Sequence, residues 1–219
     1  MSRVIVVTGT DTGIGKTVFA AALTAFLGAS YWKPVQAGLE GETDSGTVRR
    51  LGEIPAGRIV PEAYRLRAPA SPHLAAALEG FVIDPARLAI PPLSGPLVIE
   101  GAGGVMVPLT PELTFIDMFA RWQLPLVLCA RTSLGTINHT LLSVEALRRR
   151  AIPLLGVAFI GDAAPEAESA IAAIGRVPVL GRLPWIVPLG REGLQRAFRR
   201  AFAGQAFAGR GRCLSDDAT

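Results

Sequence analysis

The chain sets one lysine and one threonine behind a glycine-rich stretch, Gly9-Thr10-Asp11-Thr12-Gly13-Ile14-Gly15-Lys16-Thr17. Apolar Val4-Ile5-Val6-Val7 precedes it and Val18-Phe19-Ala20-Ala21-Ala22-Leu23 follows, so the segment reads as strand, turn and helix. That context makes an anion cradle. Successive backbone N–H groups and the helix N-terminus face a phosphate, the Lys16 ammonium reaches its outer oxygens, and the Thr17 hydroxyl can ligate Mg²⁺. The spacing is one residue longer than the usual phosphate loop: Thr10 stands where the first glycine belongs, and Gly9 lies one further back.

The 22 basic residues of types Lys and Arg include two lysines, Lys16 and Lys33. Where bulk positive charge suffices, this chain uses arginine, so the two lysines mark places that need a compact, flexible ammonium. Lys33 lies in Ser30-Tyr31-Trp32-Lys33-Pro34-Val35, read as a second strand that ends at the proline, before the turn Gln36-Ala37-Gly38. In open parallel sheets the ligand crevice lies outside the carboxyl ends of the strands, which puts Lys33 on the phosphate-loop side.

Glu100 ends the apolar run Pro96-Leu97-Val98-Ile99, and Gly101-Ala102-Gly103-Gly104 follows. A carboxylate at that place, opposite a phosphate loop, holds Mg²⁺ or its water. Residues 39–72 read as loop-rich. There Glu40, Glu42 and Asp44 compete as a further metal or nucleotide carboxylate, Asp44 just ahead of a helix through Val48-Arg49-Arg50-Leu51. Gly135-Thr136-Ile137-Asn138-His139 opens a helix running to about Arg150, a second anion site suited to a carboxylate, although Asn138 and His139 can equally cap and pack. His73, behind Pro69-Ala70-Ser71-Pro72, reads as a cap or packing residue at a helix start.

Further strands are expected at 124–130, 154–160 and 178–181, and helices at 114–121, 166–174 and 190–202. Thr114 and Asp117 have the spacing of a capping box. Strand and helix alternate without repeat or linker, which gives one α/β domain, residues 1–203, with a mostly parallel sheet and helices on both faces. Residues 204–219 are expected to fray. Hydrophobic residues make up 50% and charged residues 18%, a globular composition. The net charge of +4 collects at Arg148-Arg149-Arg150, Arg199-Arg200, Arg210 and Arg212, helix ends and a tail, which argues against a nucleic-acid surface. No apolar run approaches the ~18 residues of a membrane span and no basic-then-apolar leader precedes the first strand, so a cytoplasmic location with no membrane partner is expected. Cys129 and Cys213 lack metal-ligand spacing.

Taken in order, the loop from Gly9 to Thr17, Lys33-Pro34-Val35 with Gly38, Ser71-Pro72-His73, Glu100-Gly101-Ala102-Gly103-Gly104, Leu134-Gly135-Thr136-Ile137-Asn138-His139 and Pro184-Trp185 resemble the dethiobiotin synthetase family. The similarity runs from about residue 3 to about residue 185, and the longer phosphate loop is that family's own. The resemblance implies a P-loop NTPase-like fold and an ATP-dependent cyclo-ligase. In the family 7,8-diaminononanoate takes up CO₂ (or bicarbonate) as a carbamate, ATP phosphorylates it, and the second amine closes the ureido ring of dethiobiotin. Carried over to this sequence, Lys16 and Lys33 are the catalytic cations. Thr17, Asp44 and Glu100 hold Mg²⁺. Thr12, Gly13, Ile14, Gly15, Lys16, Thr17, Val18, Gly101, Ala102 and Gly103 cradle the nucleotide, with Gly161, Asp162, Pro184 and Trp185 at its base. Lys33, Ala37, Gly135, Thr136 and Asn138 bind the substrate, the last three from the partner subunit of a homodimer.

Two residues depart from that family's pattern. Ala37 stands where a hydroxyl residue is frequent, so only its backbone can contact substrate. No asparagine stands near Ile160-Gly161-Asp162, where the family reads adenine, which leaves Asp162 or backbone groups for the base, or else a relaxed choice of nucleotide. A nucleotide switch of the partition or division-site type shares the fold but carries an additional lysine early in the loop, where this chain has Thr10-Asp11-Thr12. A third reading, an amide-forming ligase of the same fold acting on a larger acid, fits poorly with 219 residues and no glutaminase-like domain.

Overall fold

The computed structural model describes residues 4–202 and residue 207. The first strand, β1 (Val4–Gly9), sends alternate side chains into two different cores: Val4 and Val6 into one, Ile5 and Val7 into the other. A strand buried on both faces in this way belongs at the centre of a parallel sheet. The chain continues through α1 (Lys16–Leu27), β2 (Ser30–Trp32), β3 (Val35–Ala37) and α2 (Asp44–Gly52), then β4 (Ile59–Val60), β5 (Tyr64–Leu66) and α3 (Pro72–Leu78). It then runs β6 (Leu97–Gly104), α4 (Phe115–Trp122), β7 (Leu126–Arg131), α5 (Thr136–Arg149), β8 (Leu154–Ile160), α6 (Pro165–Gly175), β9 (Val179–Leu183) and α7 (Arg191–Phe202).

Seven strands form one sheet in the order β4-β2-β6-β1-β7-β8-β9, every pair parallel. One face packs against α1, α2 and α7 through Phe19, Leu23, Leu51, Leu194, Phe198 and Phe202. The other packs against α3 to α6 through residues such as Ala75, Phe115, Phe119, Leu147 and Ile171. Of the tail expected to fray, all but Phe207 lies outside the described residues. Phe207 itself is buried, its ring 6.1 Å from that of Phe198 and 6.3 Å from that of Phe19. Among the described residues no helix is long and apolar enough to cross a membrane.

The single strand expected over Ser30–Val35 is two strands in two sheets. β2 stops at Trp32, Lys33 and Pro34 form the break, and β3 pairs instead with β5. Pro34 has no N–H to give a ladder, so the main sheet loses its hold there and the chain turns away. The expected turn Gln36-Ala37 is therefore strand, and the loop-rich stretch also contains β4 and β5. β6 extends through the glycines to Gly104.

The cap expected at Thr114 is formed: its N–H and hydroxyl both donate to Asp117 Oδ2, at 2.9 and 2.6 Å. Burial works to raise the Asp117 carboxyl, but these bonds and the Arg150 guanidinium at 3.2 Å outweigh it and hold the group below its ordinary 3.8. A depressed folded-state value contributes stability above 3.8 and loses it as pH falls through the lower value. Asp117→Ala should therefore cost about 1 kcal/mol at neutral pH. Urea midpoints for the two proteins should converge only once pH has fallen below that depressed value, where the wild-type carboxylate is also protonated.

Candidate active site

Every strand of the main sheet points its carboxyl end toward one rim, and β1, β2 and β6 deliver the phosphate loop, Lys33 and Glu100 there. A cleft of about 650 Å³ opens between them. Thr12, Gly13, Gly15, Lys16 and Thr17 line it with Lys33, Ala37, Asp44, Glu100, Ala102 and Gly103. The loop reaches this shape because Gly15, the residue before α1, adopts φ +93, and a Cβ there would lie 2.9 Å from Ile160 Cγ2. No side chain caps α1 and no acidic residue stands in its first turn, so its N–H groups face the cleft with their partial positive charge unopposed.

The charged groups converge closely. Lys33, 3% exposed, donates to Asp44 Oδ2 at 2.7 Å, Glu100 Oε1 at 3.1 Å and the Gly101 carbonyl at 3.0 Å. Burial alone would lower the Lys33 ammonium, but the Glu100 and Asp44 carboxylates outweigh it and raise the group above 10.5. Lys33 is thus a fixed cation. Lys16, also buried, is shifted the other way, chiefly by loss of water, and its Nζ folds back to the Asp11 carbonyl at 2.6 Å. Thr17 Oγ1 lies 2.8 Å from Glu100 Oε1 and 3.0 Å from Asp44 Oδ1. It has one proton for two carboxylates.

Of the three acids in competition, Asp44 alone reaches this cluster, whereas Glu42 is exposed and paired with Arg50 at 2.6 Å. Thr17, Asp44 and Glu100 offer only hard oxygen donors, the type that suits Mg²⁺. Among the described residues no three His, Cys, Asp or Glu side chains form a cage. The donor set therefore fits an ion that keeps several waters and shares phosphate oxygens.

Gln36, which the sequence reading passed over as part of a turn, positions Asp44. Its Oε1 accepts the Asp44 N–H at 3.1 Å, and its amide donates to the Ala37 and Gly38 carbonyls at 3.2 and 3.3 Å. Tyr31 was also missed: its hydroxyl donates to Glu100 Oε2 at 2.8 Å. A tyrosine in an apolar strand carries no signal beyond core. Val18 packs with the apolar core below the loop and does not line the cleft.

A neighbouring hollow of about 340 Å³ shares Gly13 with the cleft and is lined by Ile14, Arg131, Thr132, Asp162 and Trp185. Pro184 is exposed beside it and does not line it. Gly161 leaves no room for a side chain. Its φ is +128, and a Cβ would lie 2.5 Å from Thr132 Oγ1, so the hydroxyl already fills the space a side chain would take. The Gly161 N–H donates to the Leu183 carbonyl and its own carbonyl accepts from Arg182, at 2.9 Å each. That leaves Thr132, Ser133, Asp162 and Trp185, with Arg131 held by Asp11 at 2.6 Å, as the polar and aromatic groups lining the hollow. Gly161→Asn should then displace Thr132 and strain the backbone by roughly 1–3 kcal/mol, which urea unfolding will read as a lower midpoint than wild type.

Gly135, Thr136 and Asn138 do not line the main cleft. The Thr136 hydroxyl and N–H are taken by the carbonyls of Arg131 and Ser133. Asn138 is exposed, and a hollow of about 470 Å³ that shares Thr12 and Val107 with the main cleft runs from Thr10 and Asp11 to Met106, His139 and Leu142 along α5.

Residues 3–193 match a family model described as an AAA domain. The chain is 65% identical to ATP-dependent dethiobiotin synthetase BioD of Rhodopseudomonas palustris strain HaA2, over 92% of this chain and 95% of that one. It is 62% identical to the protein of the same name from Bradyrhizobium diazoefficiens, over 94% and 99%. In shape it is similar to a ParA family ATPase from Chlorobium tepidum (TM-score 0.54, 12% identity, 91% of each chain). It is likewise similar to the septum site-determining protein MinD from Pyrococcus horikoshii (TM-score 0.53, 18% identity, 90% and 86%). At such identities the last two carry the fold alone. They share the parallel P-loop architecture expected from the alternating strands and helices.

Proposed function

The chain belongs to the ATP-dependent dethiobiotin synthetase family, and from that premise we propose that it closes a cyclic urea at the expense of ATP. In this reading one amine of 7,8-diaminononanoate takes up CO₂ as a carbamate, whose oxygen attacks the γ-phosphorus of ATP and releases ADP. The second amine then attacks the carbonyl carbon of the carbamic-phosphoric anhydride and expels phosphate, which leaves the ureido ring of dethiobiotin. A carbamate oxygen is a weak nucleophile, so the protein contributes alignment and charge neutralisation and no covalent group of its own.

One observation carries this reading: the only two lysines of the chain meet in one cleft with Thr17, Asp44 and Glu100. Lys16 lies at the mouth of the phosphate loop to take the outer phosphate oxygens. Lys33, charged throughout the neutral range, holds the carbamate and offsets charge growing on the transferred phosphoryl group. Thr17, Asp44 and Glu100 would hold Mg²⁺, which would supply the positive charge that offsets negative charge on the phosphates. The base lies against Trp185, Thr132 and Asp162.

The substrate carboxylate belongs to the start of α5. There Ile137 and Asn138 N–H groups have no partner among the described residues. Since that helix start does not reach its own chain's main cleft, a second copy supplies it, and a homodimer follows. Exposed Leu134, Ile137, Leu142 and Met106 near the same edge support an interface there. The enzyme works in the cytoplasm without nucleic acid or membrane.

The decisive assay follows bicarbonate-dependent ADP release from Mg²⁺-ATP with and without 7,8-diaminononanoate, with the product identified by mass. Strong stimulation and a product that has gained one carbonyl in place of two hydrogens is the result expected. Slow ADP release indifferent to the diamine would sink the reading.

A further inference from the structure

Glu100 has two oxygens, and the structure treats them differently. Oε1 faces the cleft, where it meets Thr17 Oγ1 at 2.8 Å and Lys33 Nζ at 3.1 Å. Oε2 faces the protein interior, where the Tyr31 hydroxyl meets it at 2.8 Å. Both residues of this last contact are fully buried. The sheet register dictates the pairing: Tyr31 of β2 lies opposite Val98 of β6, so Glu100 is its diagonal neighbour on the same face, within reach of a long aromatic side chain. Lys33 follows Tyr31 by two residues and reaches the other oxygen of the same carboxylate.

An ionised carboxylate can only accept, so the phenol must donate. Thr17 and Lys33 are the groups that a nucleotide, its cation or a substrate would draw away from Oε1. Tyr31 borders neither the main cleft nor the hollow beside Trp185, so its bond to Oε2 survives whatever enters.

We propose that Tyr31 is a positioning residue for the divalent-cation site: its phenol pins Oε2, fixes the carboxylate plane, and presents Oε1 alone toward Thr17. This rests on the Mg²⁺-ATP reading of the cleft. Partners that orient a metal-binding group from behind typically contribute roughly 10–100-fold to affinity for the ion.

The test uses Mn²⁺ as a spectroscopic probe, titrated by electron paramagnetic resonance into full-length protein holding a non-hydrolysable ATP analogue, for wild type, Tyr31→Phe and Glu100→Gln. Tyr31→Phe should weaken Mn²⁺ binding about tenfold, with affinity for the analogue alone unmoved and with turnover partly recovered by raising Mg²⁺. A role in packing only would leave Mn²⁺ affinity in place. Folded Tyr31→Phe that binds Mn²⁺ within about twofold of wild type, while Glu100→Gln loses it, overturns the proposal and leaves the cation site intact. Undiminished Mn²⁺ binding by Glu100→Gln instead overturns the cation reading, and the role of Tyr31 with it. If Tyr31→Phe does not fold, the double variant Tyr31→Phe/Glu100→Gln removes the stranded charge. Recovery of folding supports the contact, and failure assigns Tyr31 to the core alone.

Discussion

Lys33→Met should abolish turnover, by about 10³-fold, and leave most of the nucleotide affinity in place. Methionine keeps the apolar stem and removes the charge. Lys33 touches Asp44, Glu100 and the Gly101 carbonyl but no part of the phosphate loop, so its loss falls on the reacting carbamate more than on ATP. The same change strands two carboxylates. Leaving a buried charge without its partner costs about 3–5 kcal/mol, so the metal-free variant should melt well below wild type. Because the missing charge sits where a divalent cation would act, Mg²⁺-ATP should restore much of that stability. Three measurements separate these effects: diamine-stimulated ADP release, equilibrium binding of a fluorescent nucleotide, and urea unfolding with and without Mg²⁺-ATP. Wild-type-like turnover would remove Lys33 from the chemistry.

Lys16→Ala should lose binding and turnover together, with nucleotide affinity down about 10²-fold. Its ammonium rests on the Asp11 carbonyl at 2.6 Å, and the proposed role asks it to give up that contact for phosphate oxygens. Lys16→Arg should rescue little, although arginine serves elsewhere in this chain. A Cβ on Gly9 would sit 2.9 Å from Lys16 Cδ, so the lysine stem runs through space kept clear beneath it, and a broad planar guanidinium does not follow that path. Nucleotide titrations of the two variants check both statements; an arginine variant that binds ATP normally would show that any cation suffices.

The central sheet was legible because its strands are buried on both faces, and unbroken apolar runs such as Leu126–Arg131 or Leu154–Ile160 have few other readings. The phosphate loop was legible because glycine, lysine and threonine follow one another at a strand-to-helix turn. What escaped is short or indirect. β4 has two residues, and β3 and β5 have three each, too few for a period to show. The break at Pro34 lies inside a run whose apolar character does not change. Asp44 stood level with Glu40 and Glu42 on composition, and tertiary contacts, to Lys33, Thr17 and the Gln36 side chain, separate it from them. Tyr31 and Thr132 act through neighbours distant in sequence. Their residue types are ordinary in a strand or a turn and become informative only when Glu100 or Gly161 is placed beside them.

The position of β1 in the strand order has a bearing on timing. It is made first, yet its neighbours are β6 and β7: Val4 pairs with Leu97 and Val6 with Leu126. Contacts so far apart along the chain form only after a large loss of loop entropy has been met. Glu100, the Ile160 that packs over Gly15, and the Cys129 carbonyl that accepts the Thr10 N–H all come from strands made later still than α1. A nascent chain therefore carries its nucleotide motif long before it has a nucleotide site. Throughout that interval the glycine loop lacks the Cys129 and Ile160 contacts it has in the finished fold. Binding is a property of the finished sheet, which makes bound nucleotide a reporter of complete folding.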